Sequence, residues 1–146
     1  MKPIRPLLAV LGVLLLPLVV AAPAHAAGQR CETGSSVSRC ASVGGSGDSV
    51  LAHARVDSLR TRVKVRVVSV ALQRRTDTGW VVVSRSAPQD EGFFSGDSTS
   101  TSVACGSAAR GVYRSRGVVE WRVRGTAGTR TDAVASRGVR KDRLCG

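Results

Sequence analysis

Apolar and polar residues alternate along most of the chain beyond residue 49. Val50, Ala52, Ala54 and Val56 interleave with Leu51, His53 and Arg55, the period-two pattern of a strand with one face in a core. Val63, Val65 and Val67 alternate with Lys64 and Arg66, and then the phase slips to Val68, Val70 and Leu72. One extra residue turns every later side chain to the opposite face, so a bulge or bend near Val67-Val68 reconciles the two sets. Two short strands are the alternative. Leu72-Gln73-Arg74-Arg75, Thr76-Asp77-Thr78-Gly79 and Trp80-Val81-Val82-Val83 read as strand, Gly-containing turn and strand, a hairpin. Residues 88–92 break the second strand and residues 95–102 read as a polar loop. Residues 101–105, 111–115 and 118–124 supply three more strands, the last with Val119, Trp121 and Val123 inward and Glu120, Arg122 and Arg124 outward. Residues 132–139 are the candidate final strand.

About seven short strands separated by turn signals, and no sustained 3.6-residue period after residue 26, predict an all-β chain folded as a single antiparallel β-sandwich. Residues 27–48 are Gly/Ser-rich and aperiodic. They read as a loosely ordered arm with one small bridged loop, leaving residues 49–146 as the sandwich domain. The first 26 residues have a different pattern. Lys2 and Arg5 precede an apolar run over residues 7–20, and Ala24-His25-Ala26 places small residues at a cleavage site, the layout of a secretory signal peptide cut after Ala26. A membrane-spanning helix needs ~20 apolar residues; this run is shorter and is interrupted by Pro17. The expected product is secreted, with no transmembrane segment after cleavage.

Export changes the meaning of the four cysteines. In an oxidising exterior they read as two disulfides with three pairings open. The favoured pairing joins Cys31 to Cys40 across a Gly/Ser turn, and Cys105 to Cys145. Zinc would need closely paired Cys or His ligands, and His53 is the single histidine beyond residue 26. No metal and no cofactor are expected.

Charge adds the one feature with functional content. The 146 residues hold 22 Lys and Arg against 10 Asp and Glu, a net +12. Only Lys2 and Arg5 fall within the leader, so residues 27–146 keep 20 cations against the same 10 carboxylates. The cations gather at residues 50–75 and 110–124, with an acidic stretch at 76–109 between them. By strand alternation, Lys64 and Arg66 share a face, and so do Arg122 and Arg124. With Arg74 and Arg75 they form a candidate basic surface that attracts polyanions by long-range Coulomb forces. Outward arginines also serve solubility and blunt edge strands. Trp80 and Trp121 fall on apolar faces and read as core, so nucleic acid, which needs stacking aromatics beside the cations, is disfavoured. An anionic cell-wall polymer or an acidic protein is the expected partner, and a monomer the expected state.

The run Val70-Ala71-Leu72-Gln73-Arg74-Arg75, then Gly79-Trp80, Val83, Gly92-Phe93 and Tyr113-Arg114, resembles the immunoglobulin-like domains of exported bacterial proteins. There a hairpin of this kind precedes a Gly-aromatic turn and a Tyr-Arg strand. The tail from Cys105 through Gly111-Val112-Tyr113-Arg114 and Glu120-Trp121 to Cys145 is similar to small secreted actinobacterial proteins of no assigned function. The resemblance spans residues 60–145 and rests on core and turn residues. It implies an immunoglobulin-like sandwich and no catalytic residues.

Catalysis finds little support. Any Ser–His or Cys–His pair must use His53, which sits in an alternating strand with no visible partner. Gly47-Asp48-Ser49 and Gly96-Asp97-Ser98 echo nucleophile motifs but read as turns at strand edges. Asp90, Glu91, Asp97 and Glu120 are the carboxylates from which a glycosidase pair would be drawn. The expected function is a secreted, non-enzymatic basic β-sandwich with a binding or structural role at the cell envelope or outside the cell. The alternatives are a protease inhibitor presenting Arg110 on the loop after Cys105, or a small-molecule carrier of the same architecture.

Overall fold

The computed structural model describes residues 27–87 and 92–146. The expected leader, and the carboxylates Asp90 and Glu91, lie outside the described residues. Strands β1 (Arg30–Thr33), β2 (Val37–Ser46), β3 (Ser49–Ser58) and β6 (Gly96–Ala104) form one antiparallel sheet in the order β1-β2-β3-β6. Strands β4 (Val63–Thr76), β5 (Gly79–Ser86), β7 (Val112–Val123) and β8 (Arg130–Ala135) form the other in the order β5-β4-β7-β8, with β9 (Val139–Arg140) pairing β7. One helical turn, α1 (Lys141–Leu144), follows β9. The all-β sandwich with two disulfides is thus present, with nine strands where the pattern suggested about seven.

The extra strands come largely from the segment read as an arm. Ten residues of β2 pair with β3, and Val37, Ala41 and Val43 are buried. The alternation is there, but Ser and Gly between the apolar positions leave too little hydrophobic contrast for periodicity to register. The stretch read as a polar loop over residues 95–102 belongs mostly to β6, for a related reason: its Ser and Thr residues form an edge strand whose partner β3 supplies the apolar contrast. The two strands expected between residues 111 and 124 are one, β7, continuous through Ser115 and Gly117.

In β4 the phase slip is a bulge: Val67 pairs with Val119 and Ser69 with Val118, leaving Val68 as the extra residue. Val63, Val65 and Val67 before it, and Val70 and Leu72 after it, are all buried. Asp97 supports the bulge from the facing sheet, its Oδ2 accepting the Val67 amide at 2.6 Å and its Oδ1 the Ser98 amide at 2.7 Å. The tripeptide Gly96-Asp97-Ser98 is therefore a strand start whose carboxylate accepts backbone N–H groups. Gly47-Asp48 is a two-residue hairpin turn between β2 and β3, with Gly47 at φ +56°, a conformation that favours glycine.

The core is built of small and β-branched residues, so the sheets approach closely. A Cβ on Gly117 would lie 2.6 Å from the Ala54 Cβ of the facing sheet. Beside it, the buried Ser115 hydroxyl donates to the His53 carbonyl at 3.0 Å, and the Ser115 amide donates to Ser136 Oγ at 2.9 Å. Tyr113, near the start of β7, is 1% exposed and donates its hydroxyl to the Ala109 carbonyl at 2.6 Å. The ring fills the end of the core while the hydroxyl closes the loop before β7.

Both bridges take the favoured pairing. Cys31–Cys40 joins directly opposed residues of β1 and β2, and Cys105–Cys145 ties the end of β6 to the residue after α1. Leu144 is buried in the core. Gly45 lets α1 settle there, since a Cβ at that position would meet the Leu144 carbonyl oxygen. Two bridges and no free cysteine place the described residues in an oxidising compartment. Among the described residues no helix is long and apolar enough to cross a membrane.

Candidate anion-binding face

Strand register decides which cations stand together, because directly opposed residues project from the same face of a sheet. Across β4 and β7, Lys64 opposes Arg122, Arg66 opposes Glu120, Ala71 opposes Arg116 and Gln73 opposes Arg114. Across β4 and β5, Ala71 opposes Arg85 and Arg75 opposes Trp80. The outer face of this sheet therefore carries Lys64, Arg66 and Arg75 from β4, with Arg114, Arg116 and Arg122 from β7 and Arg85 from β5. Glu120 is the one carboxylate among the outward residues of these three strands.

Of the residues singled out by sequence, Lys64, Arg66, Arg75 and Arg122 come together on this face. Arg124 lies just beyond β7, its amide bonded to the Arg62 carbonyl. With Arg62, Lys64 and Arg122 it borders a shallow depression of about 570 Å3. Arg74 does not join them. It opposes Tyr113 on the inward side, and its Nε is buried without a hydrogen-bond partner.

Two aromatic rings complete the face. Phe93 lies between Arg66 and Arg122, whose guanidinium carbons are 4.6 and 4.4 Å from the ring centroid. Arg66 also binds Glu120, through Nε at 2.8 Å and Nη2 at 2.7 Å. At the other end Trp80 has Arg114 at 4.1 Å and Arg75 at 5.9 Å. Stacks of this kind contribute ~0.5–1 kcal/mol each at exposed sites. Trp80 is thus no core residue: it is half-buried on the outer face, whereas Trp121 packs inward against the core.

Arg85, Arg114, Arg116, Trp80 and Phe93 were not singled out as site residues by sequence. A signal for Trp80 was present. The hairpin turn has only two residues between its last pair, Thr76 and Gly79. Arg75 and Trp80 then face each other, and an outward Arg75 requires an outward Trp80. The apolar run Val81-Val82-Val83 concealed this, and all three valines are exposed on an edge strand.

The outer face of the opposite sheet differs in character. It presents Ser38, Ser42, Ser98, Ser100 and Ser102 around His53, and its Arg55 is held by Asp57 through contacts of 2.7 and 3.0 Å. His53 Nδ1 lies 2.8 Å from Ser100 Oγ, a partner the sequence did not reveal. Asp57 is engaged by Arg55 and does not orient the ring. The β3 backbone is paired on both sides, to β2 and to β6, so its amides are spent in the ladders and not available as oxyanion donors.

Burial, and secondarily Arg55, holds the His53 pKa below its ordinary value of 6.5. The unfolded chain then takes up a proton before the folded one does. Stability from this group is full above about pH 6.5 and is lost as pH falls through the lowered folded value. The urea midpoint should fall between pH 7.5 and 5.5, and His53→Gln should flatten that slope. An unchanged slope in the variant would assign the acid sensitivity elsewhere.

Arg110 is exposed on the loop closed by the Cys105–Cys145 bridge. That loop is wound into turns, with Ser107 and Ala108 amides bonded to the Ala104 carbonyl and the Ala109 carbonyl accepting Tyr113. Among the described residues no three His, Cys, Asp or Glu side chains converge as a metal site would require. Comparison with protein-family models, with curated proteins and with solved structures finds no match to this chain.

Proposed function

We propose that this chain is an exported, non-enzymatic immunoglobulin-like domain that binds an anionic polymer of the cell envelope through the outer face of the β5-β4-β7-β8 sheet. The observation that carries it is charge segregation. Seven cations and one carboxylate stand on the outward positions of three adjacent strands, while the outer strand positions of the opposite sheet carry one internally paired Arg and Asp. Cations placed only for solubility would be spread over both faces. Held on one sheet, they create a directional potential that draws in a polyanion. The immunoglobulin-like assignment is supported by the strand order β2-β3-β6 against β5-β4-β7-β8 and by the tyrosine hydroxyl bonding back to the chain before β7, both habits of such sandwiches.

Purified chain should be retained on isolated cell wall at ~0.15 M salt, where exposed charges are screened beyond ~8 Å. Arg116→Gln with Arg122→Gln should weaken retention by more than roughly tenfold, upwards of about 1.4 kcal/mol. Arg55→Gln, on the other sheet, should leave it unchanged. Absence of retention by the unaltered chain, or equal losses in both variants, would overturn the proposal.

A further inference from the structure

The two ends of the basic face share one architecture with one difference. At each end two arginines flank an aromatic ring. At the Phe93 end the Glu120 carboxylate occupies the donors of Arg66. At the Trp80 end Arg75, Arg114 and Arg116 have no ion pair among the described residues. The Arg114 Nε donates to Gln73 Oε1 at 2.8 Å, which fixes the guanidinium while its remaining N–H groups point away from that bond. Trp80 is itself fixed: a Cβ on Gly138 would lie 3.3 Å from Trp80 Cη2 and 2.7 Å from Val112 Cγ1. Beyond Val112 the surface dips into a depression of about 520 Å3 bordered by Arg110, Lys141 and the Arg140–Asp142 ion pair.

Resting on the reading of this face as a polyanion surface, we propose that Arg75 and Arg114 over Trp80, with Arg116 two residues along β7 from Arg114, form a preorganised site for the phosphodiester groups of a polyol-phosphate polymer. The bound phosphate takes the place that Glu120 holds at the other end. A guanidinium stacked on a ring keeps its in-plane N–H fork free for an oxyanion, and side chains already immobilised lose less entropy on binding. The crowding is visible in the charges: burial first, then Arg116 and Arg75, hold the Arg114 pKa below its ordinary value. A bound anion relieves that repulsion. The ring chemistry selects the polymer. Nucleobases bind by lying on aromatic faces, and pyranose rings use the same surface, but Trp80 is already flanked by Arg114 and Arg75. A chain with backbone phosphates and no ring to stack fits the donors that remain.

The test titrates the full chain with poly(glycerol phosphate), single-stranded DNA and polygalacturonate of matched charge at ~0.15 M salt. Poly(glycerol phosphate) should bind most tightly. Arg75→Gln with Arg114→Gln, and separately Arg116→Gln, should weaken it by roughly tenfold or more and make its salt dependence shallower. Arg55→Gln should not. Unfolding midpoints equal to the unaltered chain confirm that the variants are folded. Tighter binding of DNA or of polygalacturonate would overturn the choice of a ring-free phosphodiester. Retention on cell wall that survives loss of Arg75 and Arg114 would overturn this site while leaving the broader face intact. No binding of any probe would overturn both.

Discussion

Replacing Cys105 and Cys145 together by serine should lower the unfolding free energy by about 4 kcal/mol, against about 2.5 kcal/mol for the Cys31/Cys40 pair. The difference follows from loop length. The first bridge closes 40 residues and the second only 9, and a longer closed loop removes more freedom from the unfolded chain. The larger loop holds β7, β8, β9 and α1, so its bridge also fixes buried Leu144 against Gly45. The smaller bridge joins residues already paired between the short edge strand β1 and its neighbour β2. For a domain of this size, whose total stability is ~5–15 kcal/mol, loss of the first bridge removes roughly a quarter to four-fifths of it. Urea unfolding of the two double variants at constant slope would measure both values. Equal losses would show that loop closure is not what the longer bridge contributes.

The second large effect is at the crossing of β3 and β7. Gly117→Ala places a methyl 2.6 Å from the Ala54 Cβ, a contact relieved only by separating the sheets or shifting β7. Overpacking of this kind costs ~1–3 kcal/mol. Ala54→Gly alone should cost about 1–2 kcal/mol, through a lost buried methyl and a more flexible strand. Combined, the two substitutions move one methyl from one sheet to the other, and the double variant should be more stable than Gly117→Ala alone. The coupling is therefore negative in cost, and a double-mutant cycle isolates it. Strictly additive losses would mean that the sheets already have room at this point.

Much of the fold was legible because side-chain period is set by backbone pleat. The inward Val50, Ala52, Ala54 and Val56, the phase slip at Val67-Val68 and the hairpin around residues 76–79 all read directly from spacing. What failed did so where hydrophobic contrast was weak. In β2, Gly and Ser masked Val37, Ala41 and Val43; in β6, Ser and Thr occupy both faces. The merging of two expected strands into β7 depended on Ser115 and Gly117, which look like a break. They are core residues only because Ala54 and the His53 carbonyl stand opposite.

The candidate face divides in the same way. Strand alternation alone grouped Lys64 with Arg66, placed Arg122 outward, and so identified a basic surface. The same alternation, carried from Val70 and Leu72 past the bulge, sets Arg74 inward, so grouping it with Arg75 by adjacency was the misstep. Alternation could not place Trp80 and Phe93 among the arginines, or gather Arg75 and Arg114 over one ring. Those facts depend on how β4, β5 and β7 register against one another, because a residue's face is local but its neighbours across strands are not. Residue spacing and composition were enough for an all-β chain with strong basic character and two bridges. That the charge collects on one sheet emerges from the pairing of β4, β5 and β7, since strands far apart in the chain must pair before their outward side chains can meet.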